Sequence, residues 1–189
     1  YSRIIFPASK LKTYELSKNF IETPCYNLVD LYRGLSYLNK NLDFIQRELY
    51  NNSKAVVDRK TQICYYDCTN YYFDISEEDD LRKYTGNAKD KKGKPVVGMG
   101  LFLDGNGYPI AMNIYPGNDN ESTTLLPLQK KILGIDPITD LKIEGFDLEN
   151  NKTIICTDAA MCTDEIKRFN VKDGRAFVIT QSIKKLKEI

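Results

Sequence analysis

Two aspartates stand where a β-strand normally carries an apolar residue. Asp67 lies inside the strand-like run 63–69 (ICYYDCT), and Asp158 ends the apolar run 154–158 (IICTD). An ionised carboxylate in an apolar strand is costly unless it is paired, hydrogen-bonded or bound to a cation. A neighbouring Thr or Tyr hydroxyl satisfies either aspartate alone, whereas a shared metal ion satisfies both if the two strands are neighbours. Both interpretations stay open on the sequence alone.

The metal interpretation has a definite chemistry. Carboxylates hold Mg²⁺ through hard oxygen ligands, and two metal ions about 3.5–4 Å apart stabilise the attacking and leaving oxygens of a phosphoryl displacement. Two aspartates are too few to fix two ions, so this chemistry needs a third carboxylate.

The composition excludes several other mechanisms. The 189-residue chain has no His, which removes Ser-His-Asp and Cys-His catalysis and every His-ligated zinc site within it. Its 27 basic and 26 acidic residues give a net charge of +1, so attraction to nucleic acid must be local. The five Cys contain no C-x-x-C pair, and free thiols in a reducing cytoplasm are expected. The longest apolar run, residues 96–103, is too short to span a membrane.

The order of hydrophobic patterns predicts the fold. Helices are expected at 28–35 and 37–51, the first capped by Asn27; three strands then follow at 62–75, 96–103 and 108–115, the last two joined by the tight turn 104–107 (DGNG). Asn118 and Glu121 have capping-box spacing before a helix that begins near Thr124. Strands at 153–157 and 175–180 alternate with helices at 163–169 and from 182 onward.

This order, three strands followed by alternating helices and strands, predicts an α/β protein with a ribonuclease H-like mixed sheet. An antiparallel three-strand meander is followed by parallel strands with helices, because each β-α-β step returns its strand to the same sheet. The first and fourth strands then lie side by side at its centre. We expect a small helical N-terminal region at 1–55 and the ribonuclease H-like core at 56–189.

An ordered series of short motifs within about residues 28–189 resembles a known family. The motifs are 66–69 (YDCT), 89–90 (KD), 115–121 (YPGNDNE), 157–161 (TDAAM) and 177–180 (FVIT). Together they resemble the DDE transposases of the bacterial IS4-like insertion sequences, in particular the IS1634-type group. The resemblance implies a catalytic domain that cuts DNA at transposon ends and joins the exposed 3′-hydroxyl to target DNA.

The resemblance also implies roles for particular residues. Asp67 matches the first catalytic and metal-binding aspartate, and Asp158 the second, with Mg²⁺ or Mn²⁺ as cofactor and two ions in the complete protein. The implied partners are the transposon ends and the target DNA, with no membrane; a homodimer in the DNA complex is compatible with it. Many relatives have Arg or Ala and then Gly after the second aspartate, whereas Ala159 and Ala160 stand here.

The family's third acid is a Glu within Tyr-x-x-Arg-x-x-x-Glu, and no Tyr-x-x-Arg occurs in this chain. Glu165 is better interpreted as a solvated position on a short helix, Glu121 as a helix cap, and Glu188 lies at the chain end. We therefore expect a fragment that holds two of the three acids. The alternatives are a non-catalytic DNA- or partner-binding remnant of a transposase and a ribonuclease H-like nuclease without strand transfer.

A basic stretch offers a candidate DNA contact. Residues 82–94 carry six Lys or Arg and one acid, Asp90, and the candidate DNA-binding residues are Lys89, Lys91, Lys92 and Lys94. A loop this basic beside a phosphodiester site grips the DNA backbone without reading sequence. The alternative is a solvated loop whose charge offsets the acidic residues 77–80.

Overall fold

The computed structural model describes residues 2–85, 93–148 and 152–180. The chain divides into two compact units, residues 1–45 and residues 46–189. The first contains helices α1 (Ser2–Ile5), α2 (Lys10–Ser17) and α3 (Leu28–Lys40), and α4 (Leu42–Ser53) begins in the first and continues in the second. The division of function between 1–55 and 56–189 stays a prediction.

The helical region differs from the sequence expectation at two boundaries: α3 continues past the expected end at Leu35 to Lys40, and the break between helices falls at Asn41. Asn27 caps α3 as predicted, since its side-chain oxygen accepts a hydrogen bond from Asp30 N at 3.1 Å and Asp30 accepts one from Asn27 N. The prediction of one continuous helix over 37–51 is wrong, because Asn41 separates α3 from α4. Asn41 Nδ2 donates to Tyr37 O at 2.8 Å, a side-chain to backbone bond that competes with helix continuation.

A five-stranded sheet forms the centre of the second unit. Its strands are β1 (Ile63–Tyr72), β2 (Val96–Asp104), β3 (Pro109–Pro116), β4 (Ile154–Thr157) and β5 (Ala176–Ile179), in the order β3-β2-β1-β4-β5. The β3-β2-β1 pairs are antiparallel, and β1-β4 and β4-β5 are parallel. This is the mixed α/β sheet of the ribonuclease H-like arrangement, with the first and fourth strands adjacent, as predicted.

The β2-β3 hairpin forms at the predicted turn. Gly107 adopts a positive φ of 82°, which an L-residue with a side chain rarely adopts. Asp104 Oδ1 accepts hydrogen bonds from Asn106 N at 3.0 Å and Tyr108 N at 2.9 Å, which closes the turn. The other oxygen of this fully buried carboxylate lies 3.1 Å from Arg59 Nε, so an ion pair ties the hairpin to the segment before β1.

Short helices connect the later strands. Asn120, and not the predicted Asn118, caps a 3-10 helix at Glu121–Thr123, because Asn120 Oδ1 accepts from Ser122 N. Helix α5 (Leu125–Ile132) follows directly after Thr124, where the sequence predicted its start. Another 3-10 helix at Ala159–Met161 and helix α6 (Asp164–Asn170) lie between β4 and β5.

The core lies between one face of the sheet and the helices α5 and α6. It contains Cys64, Tyr66, Phe102 and Ile155 from the strands and Leu125, Leu128, Ile132, Met161 and Ile166 from the helical segments. Strand alternation explains the pattern in β1, where Cys64 and Tyr66 are buried while Ile63, Tyr65 and Asp67 are exposed. Among the described residues, no helix has the length and apolar character needed to cross a membrane.

Candidate active site

Asp67 lies near the middle of β1, the central strand of the sheet. Its side chain is on the exposed face of the strand, opposite the core face that carries Tyr66 and Cys68. Its Oδ1 accepts a hydrogen bond from the backbone N of Cys68 at 2.9 Å. The neighbouring hydroxyls considered at the sequence level do not bind this carboxylate.

Asp158 follows the last residue of β4. Its Oδ1 accepts a hydrogen bond from Ala160 N at 3.0 Å and thereby caps the 3-10 helix at Ala159–Met161. A carboxylate in this position satisfies backbone donors that the helix start leaves unpaired. No Thr or Tyr hydroxyl of the described residues binds this carboxylate either. Asp158 is exposed, and its backbone is extended, with φ −78° and ψ −179°.

The parallel pairing of β1 with β4 relates the positions of the two aspartates. The observed partners are Ile63 with Ile154, Cys64 with Ile155 and Tyr65 with Cys156. Two further steps of this register, past the end of the ladder, would make Asp67 and Asp158 partners, and partners in a parallel ladder share a face about 4.8 Å apart. The candidate site therefore consists of two exposed carboxylates, one on β1 and one directly after the neighbouring strand β4.

The donor set of this pair suits a divalent cation in part. Both residues supply hard carboxylate oxygens, and Oδ2 of each receives no hydrogen bond from any described residue. Mg²⁺ takes one or two protein carboxylates and keeps several waters, so two carboxylates are a sufficient protein ligand set for one ion. Within residues 2–85, 93–148 and 152–180, no group of three or more His, Cys, Asp or Glu converges as a metal site.

The other acids considered at the sequence level occupy separate positions. Glu165 is an exposed residue in the first turn of α6, as the sequence suggested. Glu121 begins the 3-10 helix at Glu121–Thr123, and this helix contacts the 3-10 helix at Ala159–Met161 that follows Asp158. Glu188 lies outside the described residues.

A buried polar cluster beneath β1 holds the strand on both sides of Asp67. The Tyr66 hydroxyl lies 2.7 Å from Thr124 Oγ1 and 3.3 Å from Asn113 Oδ1, and Cys68 Sγ lies 3.7 Å from the same threonine oxygen. Thr124 Oγ1 in turn donates to Glu121 O at 2.7 Å. Burial raises the pKa of the Tyr66 phenol, which keeps its hydroxyl protonated as a hydrogen-bond donor.

A close approach at Gly100 makes room for this cluster. A Cβ built on Gly100 would overlap the hydroxyl of Tyr66 and the side-chain oxygen of Asn113. The sequence alone did not predict this cluster, because its members lie far apart in the chain; Tyr66 and Thr124 are 58 residues apart. The only local signal was a glycine inside the second strand, which often marks a close approach of another group.

Three of the four candidate DNA-binding lysines lie outside the residues that the structure describes. Lys89, Lys91 and Lys92 fall in residues 86–92, which the structure does not describe. Lys94 is described, and its ammonium group forms an ion pair with the Asp74 carboxylate. Lys94 is therefore partly neutralised, whereas the role of the other three lysines stays a prediction.

Comparisons with known proteins add one structural similarity. No protein-family model and no curated protein matches the sequence. A cryo-EM structure of a piggyBac transposase synaptic complex with hairpin DNA is similar to this chain with a TM-score of 0.38 and 16% sequence identity. The match covers 67% of this chain and 24% of the piggyBac chain, so the chain spans about a quarter of that protein's length. At this TM-score, the similarity adds no argument to the site geometry.

Proposed function

We propose that the chain is part of the catalytic domain of a DNA transposase that uses Asp67 and Asp158 in metal-assisted phosphoryl transfer. The observation that carries the proposal is the parallel pairing of β1 with β4: Asp67 lies on β1, Asp158 directly follows β4, and two further steps of the same register would make them partners. An energetic argument supports it, because two carboxylates held close together would repel each other unless a cation lay between them.

In this proposal each aspartate has a defined role. Asp67 and Asp158 hold Mg²⁺ or Mn²⁺ through the carboxylate oxygens that no described residue engages. The metal, when bound, supplies Lewis-acid stabilisation of the phosphodiester oxygens. The hydrogen bonds from Cys68 N and Ala160 N orient the two carboxylates. The contact between Tyr66 and Thr124 anchors β1 next to Asp67.

The finer assignment is also part of the proposal. The ordered motifs support a transposase of the IS4-like insertion sequences, in the IS1634-type group, which acts on transposon ends and target DNA in the cytoplasm. The complete protein then needs a third carboxylate and binds two ions. A homodimer on DNA fits the same assignment.

Metal binding provides the direct test. We expect the chain to bind Mn²⁺ weakly and the paramagnetic ion to broaden NMR signals around residues 65–69 and 156–160. Asp67→Asn and Asp158→Asn should each abolish this localised broadening, whereas Asp80→Asn, a change at an exposed loop acid, should leave it intact. Broadening that is unchanged in both site variants would refute the proposal.

Activity separates the proposal from its alternatives. With only two of three acids, the 189-residue chain should not cleave transposon-end DNA in Mg²⁺ or Mn²⁺. Efficient cleavage by the purified chain would show that an acid within it, Glu165 or Glu188, completes the site. In a parent protein with a helical Tyr-x-x-Arg-x-x-x-Glu, strand-transfer products identify the transposase and hydrolysis alone identifies a nuclease. A parent without that motif supports a non-catalytic remnant.

A further inference from the structure

The first unit of the chain, residues 1–45, has no buried apolar core among its described residues. Within 2–45 only Thr13 and Ser17 are buried, and every apolar side chain is at least partly exposed. Units well below about 60 residues are marginally stable, and near 40 residues they usually need a disulfide, a metal ion or association with another chain. Cys25 is the one cysteine in this part of the sequence, and the described residues contain no group that could hold a metal ion. Contact with further apolar surface is the remaining source of stability.

Helix α3 carries an apolar stripe with the spacing of a coiled coil. Its leucines recur at alternating intervals of three and four residues, and the series continues into the first turn of α4. We call these residues the leucine stripe: Leu28, Leu31, Leu35, Leu38, Leu42 and Ile45. At 100° per residue, the four leucines of α3 fall within about 80° of one helix face. Their intervals are those of the a and d positions of a heptad repeat, which pack against a second helix.

The leucine stripe is accessible in the structure. No residue of α3 is buried, and Leu35 and Leu38 are 44% and 50% exposed. Leu31 and Leu35 also line a cavity of about 200 Å³, together with Arg3, Lys10 and Thr13. A cavity of about 150 Å³ admits a benzene molecule, so this one has room for a leucine side chain of another helix. The helix therefore offers both a ridge and a hole, the two parts of coiled-coil packing.

The residues beside the leucine stripe favour a second copy of the chain as the partner. Coiled coils that pair with a different chain normally select it through charged residues at the e and g positions. The positions of α3 and its C-cap that correspond to e and g are uncharged: Tyr32, Gly34, Asn39 and Asn41. Identical helices therefore meet without repulsion along the stripe. The nearest charges, Asp30 and Arg33, pair with each other within the helix at 3.3 Å.

We propose that α3 is a dimerisation helix, in which the leucine stripe of one chain packs against the leucine stripe of a second copy. Two-fold symmetry suits this contact, because each copy supplies the same ridge and the same hole. Helix α3 is only about 20 Å long, so the contact is smaller than a standard interface and the dimer forms reversibly. The dimer does not depend on the metal site, and association and Mn²⁺ binding can each fail without the other.

Sedimentation equilibrium of the full chain, from micromolar to millimolar concentration and with a reducing agent present, measures the association. The variant Leu35→Asp/Leu38→Asp places charges in the stripe. Val29→Asp/Tyr37→Asp is the matched control, because it makes the same charge change at two apolar residues of α3 outside the stripe, which are 56% and 67% exposed. Hydrogen exchange of the wild type at low and high concentration locates the contact without any substitution.

We expect the wild type and the control variant to dimerise as the concentration rises. The stripe variant should associate at least about a hundredfold more weakly, because two leucine side chains of each copy leave the contact and each contributes about tenfold or more. Amides of residues 28–40 should gain protection with concentration in the wild type, whereas those of β1 should not change.

Three results would overturn the proposal. A wild type that stays monomeric throughout would show that the leucine stripes do not pair. Equal association of all three proteins, or equal weakening in both variants, would assign the contact to another surface or to net charge. Protection of residues 28–40 that is the same at every concentration would mean that the stripe is covered within its own chain.

Discussion

At the scale of single residues, Thr124 joins the strand of Asp67 to helix α5. Its hydroxyl contacts Tyr66 and donates to Glu121 O, and the side chain is only 6% exposed. Thr124→Val keeps the shape but leaves the Tyr66 hydroxyl with the longer bond to Asn113 alone, so we expect a loss of about 1–3 kcal/mol in unfolding free energy. Urea unfolding followed by tyrosine fluorescence measures the loss.

The exposed neighbour Thr123 is the matched control for this change. Its hydroxyl donates to Asn120 O at the surface, so Thr123→Val should alter the unfolding free energy by less than about 0.5 kcal/mol. Equal effects of the two substitutions would mean that the buried contact contributes nothing specific. The pair of variants therefore measures how firmly β1 is held next to Asp67.

Cys64 makes the unfolding free energy depend on pH in the alkaline range. Burial raises the pKa of its thiol from 9.0 to about 12, with a further contribution from the Asp104 carboxylate. The unfolded chain thus loses this proton at a lower pH than the folded chain does. The contribution of the protonated Cys64 thiol to the unfolding free energy is complete below pH 9. It is lost as the pH rises from 9 towards 12, by about 1.4 kcal/mol per pH unit.

Cys64→Ala removes this titration and isolates its effect. Between pH 9 and 11, the unfolding free energy of the wild type should fall more steeply than that of the variant, by the slope given above. Urea titrations at pH 7, 9, 10 and 11 measure both curves. Buried tyrosines such as Tyr66 titrate in both proteins and cancel in the difference. Parallel curves would show that the thiol does not ionise on unfolding in this range.

At the scale of elements, β1 packs against β2 because the Tyr66 side chain of β1 fills the space beside Gly100 of β2, which has no side chain. Gly100→Ala places a methyl group on the Tyr66 hydroxyl, and relieving that overlap should cost about 1–3 kcal/mol of unfolding free energy. The cost should shrink when Tyr66→Phe removes the hydroxyl. A double-mutant cycle by urea unfolding measures this coupling, and strict additivity would show that the two groups do not meet.

The sequence predicted those elements whose signals are local. The hairpin formed at residues 104–107 because its turn residues accept the required backbone angles, and Asn27 capped α3 by a three-residue bond. The prediction of a single helix over 37–51 was wrong because hydrophobic periodicity carries no information about the hydrogen bond by which Asn41 binds Tyr37 O at the end of a helix. Local capping chemistry decided the boundary against the longer-range pattern.

At the scale of the whole molecule, topology was predictable while the surroundings of the site were not. The strand order followed from the order of patterns, since handed β-α-β connections leave few alternatives. The position of Asp67 on β1 and of Asp158 directly after the neighbouring β4 followed from the same order. The Tyr66, Asn113 and Thr124 cluster depends on packing between distant segments, and nothing in a single sequence specifies such contacts.

The charge distribution of the molecule yields a prediction about DNA. Neutralising Lys89, Lys91 and Lys92 to Gln should weaken duplex binding about equally for all sequences, and should flatten the slope of log K against log salt by roughly 0.9 for each phosphate that the variant no longer neutralises. Lys94→Gln should change the slope less, because Asp74 already pairs with that ammonium group. Fluorescence anisotropy over a salt series, on two unrelated duplexes, measures the slopes.

A matched control comes from three exposed lysines outside the basic stretch 82–94. Lys142, Lys152 and Lys172 are exposed, and Lys152 precedes β4, whereas Asp158 follows it. Their triple replacement by Gln removes the same net charge, so it lowers long-range attraction equally but should leave the slope unchanged if DNA binds beside the carboxylates. Equal slope changes in the two triple variants would assign DNA binding to net charge. No change in the 89–92 variant would assign that loop to solvation, because lysines that pair with phosphates release counterions and solvated lysines do not.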